Sequence, residues 1–155
     1  MVARDVMRKA VLTARPDMTV RELAQFFTEH HITGAPVTEE NGVLLGVVSQ
    51  TDLVRHELEI GPPEPDRAPA FYHESERPIP RGFHFETPDL TRVREVMTPA
   101  VISADEEMPL RELARLMQRK RVHRVIITRR GALRGIVTSM DLLRVLSRLL
   151  EREHA

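Results

Sequence analysis

The chain contains an internal repeat, and this repeat limits the possible folds more than any other feature of the sequence. Ordered matches between two halves of a chain indicate two copies of one supersecondary unit. Three blocks recur in the same order, with an offset of 90 residues for the first two and 89 for the third: Val6-Met7 with Val96-Met97, Arg21-Glu22-Leu23-Ala24 with Arg111-Glu112-Leu113-Ala114, and Gly46 to Asp52 with Gly135 to Asp141.

The first half of each copy is predicted to be a short strand followed by a helix. The strand is expected at Val11-Leu12 in the first copy and at Val101-Ile102 in the second. In the first copy, apolar residues recur at helical spacing after Thr19, and Thr19 with Glu22 forms a capping box that predicts the start of the helix. In the second copy, Pro109 suits the first turn, since the N–H that proline lacks would be unsatisfied there.

The second half of each copy is predicted to be two strands and a closing helix. In the first copy the strands are expected at Ala35–Thr38 and Leu44–Val48, joined by a turn at Asn41-Gly42. The closing helices are expected to begin near Gln50 and Ser139. The order is therefore βαββα in both copies, and the predicted fold class is α+β.

The length of a copy and the segment between the copies set the domain organisation. A copy of about 55 residues is smaller than the ~70–80 residues at which one core usually suffices, so the copies are expected to pack on each other. We divide the chain into a first repeat at 1–58, a Pro-rich insertion at 59–91 and a second repeat at 92–155. The insertion holds seven of the 11 prolines and four of the six aromatic residues, so we expect part of it to dock on the core. These aromatic residues are Phe71, Tyr72, Phe83 and Phe85.

The charge and cysteine content exclude several classes of protein. The 23 basic residues balance 23 acidic ones, so no overall field would draw the chain to nucleic acid or anionic lipid. The absence of cysteine excludes disulfides and thiolate chemistry and fits a reducing compartment. The N-terminus lacks the apolar stretch of a signal peptide, and no apolar run approaches the roughly 18 residues of a membrane span. We therefore expect a cytoplasmic protein with no membrane or nucleic-acid partner.

A motif recurs where the last strand of each copy meets the closing helix: glycine, two aliphatic residues, serine or threonine, two variable residues and aspartate. Its polar members are Ser49 with Asp52 and Thr138 with Asp141. In one interpretation these residues only cap free N–H groups of the first helical turn. In the other, the helix N-terminus offers N–H groups to an anion while the hydroxyl and carboxylate bind the two hydroxyls of a ribose. Both interpretations can hold together.

Nothing in the sequence indicates catalysis or a bound metal. The motifs Gly-x-Ser-x-Gly, His-Glu-x-x-His and the P-loop are missing, and we identify no nucleophile with a base. The acidic pair Glu106-Glu107 precedes a helix, where negative charge stabilises the N-terminal dipole. His30-His31, His73 and His84 are weak candidates for metal ligands. We expect no enzyme activity, no metal and no required cofactor.

Tandem βαββα repeats that each end in this motif resemble a pair of CBS domains, also called a Bateman module. The similarity covers roughly residues 5–58 and 92–150, including Asp5-Val6-Met7 and Glu95-Val96-Met97-Thr98-Pro99, and leaves the insertion uncovered. The resemblance implies two repeats packed about a pseudo-twofold axis, with clefts between them that bind adenosine compounds such as AMP, ADP, ATP or S-adenosylmethionine. It also implies a regulatory role, with an adenine nucleotide as the regulatory ligand.

The resemblance further implies which residues contact the nucleotide. Ser49 and Asp52 would contact ribose and phosphate in one cleft, and Thr138 and Asp141 would do so in the other. Adenine would be held by backbone and apolar groups near the first two strands of each copy. The approximate positions are Thr13, Ala35, Pro36, Val37, Ser103 and Val125.

His123-Arg124 resembles the pair that contacts phosphate in nucleotide-sensing members of the family. A guanidinium group matches phosphate oxygens well. The alternative places both side chains in solvent at a basic helix end. The first copy has Thr33-Gly34 at the matching place, so we expect the two clefts to be unequal.

The leading hypothesis is a stand-alone regulatory module that binds an adenosine-containing nucleotide between its repeats and modulates an unidentified partner protein. A homodimer is expected, with the apolar faces of the helices that start near Thr19 and Pro109 as the contact. The alternative is a protein-interaction scaffold with a vestigial cleft and no nucleotide binding, in which the aromatic insertion is the working surface. A nucleic-acid binder that uses the arginines between Arg111 and Arg134 is disfavoured by the neutral net charge.

Overall fold

The computed structural model describes residues 1–59, 68–73, 90–99 and 102–154, and its architecture is mixed α+β, as predicted. The chain forms two compact units. Unit 1 comprises residues 1–11 and 102–155, and unit 2 comprises residues 12–101. Each unit contains a small sheet together with helices.

Unit 2 contains two strands that pair in antiparallel fashion. The Thr19 hydroxyl accepts a hydrogen bond from the Glu22 N–H (3.1 Å), so the first helix begins where the capping box predicts. The elements are α1 (Val20–His30), β1 (Gly34–Thr38), β2 (Leu44–Ser49), α2 (Gln50–Glu57) and the short α3 (Val93–Val96).

One apolar cluster forms the core of unit 2. It joins the inner face of α1 to both strands, to α2 and to α3, and all of its members are at most 5% exposed. An isolated helix of 11 residues would be marginal in water, so this burial is what stabilises α1. The members are Ala14, Val20, Leu23, Phe27, Ala35, Val37, Val48, Leu53 and Val93.

Unit 1 shows the complete βαββα order. Its first strand runs parallel to the second, and the second pairs with the third in antiparallel fashion. The closing helices of both copies begin at the expected residues, Gln50 and Ser139. The elements of unit 1 are β3 (Ser103–Asp105), α4 (Leu110–Lys120), β4 (Arg124–Arg129), β5 (Ala132–Thr138) and α5 (Ser139–Glu153).

The opening strands differ from the prediction. In the first copy, pairing is limited to a single parallel bridge between Ala14 and Val37, and Leu12 is 44% exposed, so the strand predicted at Val11-Leu12 is wrong. The physical reason is that the chain passes from unit 1 to unit 2 between these two residues, so they connect the units rather than pair in a sheet. In the second copy the strand begins at Ser103, and Val101 lies outside the described residues.

Each unit takes its opening segment from the other sequence repeat. Arg8 pairs with Ile136 of β5 through two backbone hydrogen bonds (2.9 and 3.0 Å), which ties the start of the first repeat to unit 1. Thr98 pairs with Val47 of β2 in the same way (2.9 and 3.0 Å), which ties the start of the second repeat to unit 2. The sequence repeats, on which the domain prediction is based, are therefore not the same as the packing units.

The glycine of the repeated motif is needed for this exchange of segments. A Cβ atom on Gly46 would lie 2.5 Å from the Thr98 carbonyl oxygen, and one on Gly135 would lie 2.7 Å from the Arg8 carbonyl oxygen. Contacts this short to backbone atoms are not tolerated, so only glycine admits the exchanged segment at either position.

Part of the insertion docks on unit 2, as expected. Residues Ala70–Tyr72 form a single 3₁₀ turn whose Phe71 is 4% exposed and whose Tyr72 is fully buried. The two rings meet edge to face, with centroids 5.2 Å apart. Phe83, His84 and Phe85 lie outside the described residues.

The apolar faces of α1 and α4 are buried in part within their own units. Leu23 and Phe27 of α1 lie in the core of unit 2, and Leu113 and Met117 of α4 are at most 5% exposed. Burying these side chains gives such small units a core. Other apolar residues of the two helices, such as Phe26 and Leu116, are only partly buried, so the dimer contact predicted for these faces stays a prediction.

Five of the nine exposed large apolar side chains among the described residues lie on α5. Five large side chains along this helix are between 46% and 55% exposed: Met140, Leu143, Leu146, Leu149 and Leu150. We call these five residues the α5 stripe. Within the ranges that the structure describes, neither α5 nor any other helix is both long and apolar enough to cross a membrane.

Candidate functional site

The register of β4 and β5 brings the second copy's candidate residues to one place. Arg124, the first residue of β4, lies opposite Thr138, the last residue of β5. The Ser139 N–H donates a hydrogen bond to the His123 carbonyl oxygen (2.9 Å), which fixes the start of α5 beside the start of β4. His123, Arg124, Thr138 and Asp141 therefore meet at one end of the hairpin, and we call this group the hairpin end of unit 1.

The side chain of Asp141 is held in place at the hairpin end by its hydrogen bonds. Its side chain is only 6% exposed. Its Oδ2 atom accepts hydrogen bonds from the Thr138 N–H (2.8 Å) and the Thr138 hydroxyl (3.0 Å). Its Oδ1 atom accepts from Nε of Arg8 (3.3 Å) and Nη1 of Arg144 (3.0 Å). A buried carboxylate is thus compensated by hydrogen bonds and by two cations, as burial of a charge requires.

The two members of the His123-Arg124 pair have different surroundings. His123 is exposed, whereas Arg124 is partly buried at the start of β4. Burial lowers the pKa of the Arg124 guanidinium from its ordinary value, because desolvation disfavours the charged form. Arginine still remains protonated at neutral pH, so Arg124 supplies a positive charge at the hairpin end.

Unit 2 repeats the same backbone frame with different side chains. Gly34 lies opposite Ser49, and the Gln50 N–H donates to the Thr33 carbonyl oxygen (2.8 Å). The Asp52 carboxylate accepts a hydrogen bond from the Ser49 N–H (2.7 Å), as Asp141 does from Thr138. Thr33-Gly34 therefore occupies the place of His123-Arg124, as the sequence alignment implies.

The capping interpretation of the motif is confirmed in the second copy. The Asp141 N–H donates to the Thr138 hydroxyl (3.4 Å), while the Asp141 carboxylate accepts from the Thr138 N–H. This is a reciprocal capping box. It also fixes the carboxylate at the helix start, so the cap prepares the geometry that the ligand-binding interpretation needs.

Most of the candidate adenine contacts have buried side chains. The side chains of Ala35, Val37 and Val125 are fully buried, and Pro36 is buried between Ala35 and Val37 in β1. These four residues could reach a ligand only through their backbone. The side chains of the two other candidates are more accessible. Thr13 is partly buried just before the Ala14 bridge, and Ser103 is exposed at the start of β3.

Sequence reasoning missed Arg8 and Arg144. Arg144 lies three residues after Asp141 on α5, a spacing that could have been read as an ion pair on one helical face. Arg8 lies 133 residues from Asp141 in the chain, and no local pattern indicates that contact.

Sequence reasoning also misjudged Glu106. The partners of its carboxylate are two arginines and not the N-terminus of α4. The carboxylate is 4% exposed and binds Nη1 of Arg129 (3.0 Å) and Nε of Arg134 (3.1 Å), which lie on the two strands of the hairpin. Two of the arginines that suggested nucleic-acid binding are therefore occupied by a buried glutamate.

No group of three or more potential metal ligands occurs among the described residues. The polar groups at the hairpin end are instead one carboxylate, one hydroxyl and the Arg124 guanidinium, with Arg8 and Arg144 bound to the carboxylate. This set suits the hydroxyls of a sugar and the oxygens of a phosphate.

The chain is similar in sequence to proteins from several prokaryotes. It is 30% identical over 160 residues to the uncharacterized protein MJ1426 of Methanocaldococcus jannaschii, covering 94% of this chain and 91% of that protein. It is 30% identical over 137 residues to an inosine-5'-monophosphate dehydrogenase of Halobacterium salinarum. That alignment covers 88% of this chain and only 22% of the dehydrogenase.

Solved structures with the same fold include three that contain adenosine compounds. CBSX2 in complex with AMP has a TM-score of 0.66 and 22% identity, covering 96% of this chain and 97% of that one. The CBS domain pair of MJ0100, with 5'-methylthioadenosine and S-adenosyl-L-methionine, has a TM-score of 0.63 and 22% identity, covering 95% and 96%. The cytosolic domain of the Mg²⁺ channel MgtE, in complex with ATP, has a TM-score of 0.65 and 27% identity, covering 93% and 48%.

The family assignment follows from matches to both repeats. The CBS domain family matches residues 3–59 and 93–148, which together make up more than half of the chain. The structure of both copies fits this assignment, since each copy has the antiparallel strand pair, the capped closing helix and the motif aspartate described above. This protein belongs to the CBS-domain family and carries two CBS domains.

Proposed function

We propose that this chain is a regulatory module that binds an adenosine-containing nucleotide, AMP, ADP or ATP, at the hairpin end of unit 1. The observation that carries the proposal is the strand register that sets Arg124 opposite Thr138. Through it, a partly buried guanidinium, a hydroxyl and a buried carboxylate come to one edge of the unit.

Each group at the hairpin end suits a different part of the nucleotide. The Asp141 carboxylate accepts hydrogen bonds only, so it suits the two hydroxyl donors of a ribose. The Arg124 guanidinium presents a fork of N–H donors, which suits phosphate oxygens. The N-terminus of α5, a helix of 15 residues, adds N–H groups and a partial positive charge on the same side.

The similar structures support adenosine as the common part of the ligand. AMP, ATP, S-adenosyl-L-methionine and 5'-methylthioadenosine, which three of them contain, share that group and differ in what the 5' position carries. In this chain the cations of the hairpin end favour a 5' group with negative charge. We therefore place AMP, ADP and ATP ahead of the two sulfur compounds.

The proposed role is regulatory, and its output passes through a protein partner that is not yet identified. A ligand at Asp141 touches the residue that holds Arg8, and Arg8 belongs to the opening segment of the chain. Binding can thereby change how firmly that segment is held. A segment whose attachment depends on a ligand is a physical means of signalling to a partner.

The proposal is tested by thermal unfolding of the full chain against AMP, ADP, ATP, S-adenosyl-L-methionine and NAD. A ligand at ~100 times its dissociation constant should stabilise the folded state by about 2.7 kcal/mol, which is several degrees in the unfolding temperature. We expect a shift with at least one adenine nucleotide, and we expect Asp141→Ala to abolish it. A protein whose unfolding temperature responds to none of the five compounds does not have the proposed function.

We also propose a homodimer in which the α5 stripe packs against the α5 stripe of a second copy. A row of five large apolar side chains on one helix, each about half exposed, is typical of an interaction surface. A twofold axis across the middle of α5 would set each stripe against the same residues of the other copy, which is the self-complementary contact of a homodimer.

The dimer proposal is tested by sedimentation equilibrium of wild type and Leu146→Glu. A charge at the centre of the α5 stripe should convert a dimer into a monomer, because an unpaired carboxylate would be buried in the contact. Leu12→Glu is the matched control, since Leu12 is 44% exposed but lies outside the stripe. A wild-type protein that sediments as a monomer at all concentrations would refute this contact.

A further inference from the structure

We propose that Arg8 and Arg144 make the hairpin end of unit 1 selective for phosphorylated over unphosphorylated adenosine compounds. The inference rests on the proposed function and adds a specificity to it. Neither arginine belongs to the repeated motif or to the His123-Arg124 pair. Their contact with Asp141 is what carries the argument.

The Asp141 carboxylate has no acceptor position to spare. A carboxylate offers about four positions for hydrogen-bond donors. Two at Oδ2 are occupied by the N–H and hydroxyl of Thr138, and two at Oδ1 are occupied by Arg8 and Arg144. A ribose hydroxyl that binds Asp141 must therefore displace one of these four donors.

The donor that gives way is an arginine. The Thr138 N–H is fixed by the backbone at the start of α5, and its hydroxyl is part of the capping box. Arg8 and Arg144 each have a side chain that is 56% exposed, and a long flexible side chain can leave Oδ1 without any change in the backbone. Sugar binding thus releases a guanidinium from its carboxylate partner at the site.

A released guanidinium needs another anion, and a phosphorylated ligand brings one. The Arg8 backbone stays paired with Ile136, and Arg144 stays on α5, so both charges remain beside the bound sugar. A phosphate there regains a charge-assisted hydrogen bond in place of the lost one. Adenosine without phosphate leaves the arginine without that compensation, and its affinity is lower for this reason.

The corresponding place in unit 2 differs in the exchanged segment. Thr98 there makes the backbone pairing with Val47 that Arg8 makes with Ile136. The exchanged segment therefore brings a cation to Asp141 and a neutral hydroxyl residue to the matching position in unit 2. Arg144 has a counterpart in Arg55, so the two units differ at Arg8 and not at Arg144.

The test is calorimetric titration of AMP and of adenosine into the full-length wild type, Arg8→Gln, Arg144→Gln and the double variant. In the double variant we expect the affinity for adenosine to rise roughly 10- to 100-fold, because no hydrogen bond between a guanidinium and Oδ1 has to be broken. We expect the affinity for AMP to change much less, because the variant lacks both the bond to Asp141 and the bond to phosphate that replaces it. Arg148→Gln is the matched control, an exposed arginine one turn further along α5, and should change neither affinity.

The different responses of AMP and adenosine separate specificity from structure. If AMP and adenosine lose affinity together in the double variant, the two arginines only support the fold and the inference is wrong. An unchanged ratio of the two affinities also overturns it, while the proposed function stands because both ligands still bind. If wild type binds neither compound, the proposed function fails together with the inference.

Discussion

Units 1 and 2 share a backbone frame and differ in the side chains placed on it. In both, the exchanged segment pairs with the last strand, a glycine admits that segment, and an aspartate caps the closing helix. In unit 1 the variable positions carry Arg8 and Arg124, and in unit 2 the matching positions carry Thr98 and Gly34. The repeat therefore determines the frame, and the divergence between the copies determines which unit has the charges for a phosphorylated ligand.

The units also differ in what covers them. Unit 2 holds the docked turn of the insertion, with Phe71 and Tyr72 buried, whereas unit 1 holds a buried glutamate between two arginines. The docked turn thus adds apolar burial to unit 2, and the buried glutamate adds an ionic cluster to unit 1.

Phe71→Ala should destabilise unit 2 by about 3 kcal/mol, because it removes a buried ring from the docked turn. Urea unfolding followed by circular dichroism measures the loss. Phe71→Leu, which keeps an apolar side chain there, should cost less than about 1.5 kcal/mol. Equal losses for the two variants would mean that the turn does not depend on packing at this position.

Gly46→Ala and Gly135→Ala should each cost about 2 kcal/mol, since the new Cβ atom would lie 2.5 or 2.7 Å from a backbone oxygen. The effects should be local to different units, which hydrogen exchange can resolve. Gly46→Ala should expose the amides of Val47 and Thr98, and Gly135→Ala should expose those of Arg8 and Ile136. Unaltered protection of these amides would show that the exchanged segments are not held as described.

Glu106→Gln should cost about 1–2 kcal/mol, because it leaves two half-exposed arginines without the buried charge between them. Glu107→Gln is the matched control. Glu107 is exposed and pairs with the exposed Arg4, so its loss should change the free energy of unfolding by less than about 0.5 kcal/mol. Thermal unfolding at low and high salt would compare the two, and equal effects would argue against a buried role for Glu106.

Local patterns predicted most of the secondary structure. Thr19 and Glu22 marked the start of α1, and the two hairpin strands of the first copy, β1 and β2, begin and end within one residue of the prediction. The closing helices begin at Gln50 and Ser139 because the motif is itself a helix start. These features depend on residues close in the chain, which is why the sequence is sufficient for them.

The features that the sequence did not predict depend on distant residues. The exchange of opening segments joins Arg8 to Ile136 and Thr98 to Val47, and no spacing along the chain indicates such pairs. The same exchange displaced the opening strand from Val11-Leu12. The candidate residues of the hairpin end came from family resemblance and local motif, whereas the arginine contacts to Asp141 emerge only once the chain is folded.

The most direct test of the central claim, that unit 1 holds the nucleotide site, is the affinity for AMP of Asp141→Asn compared with Asp52→Asn. Both substitutions keep the side-chain shape and remove one charge from the same position of a capping box. The account predicts that Asp141→Asn loses AMP binding at least ~10-fold while Asp52→Asn binds AMP as wild type does. Loss of binding in Asp52→Asn with full binding in Asp141→Asn would contradict it.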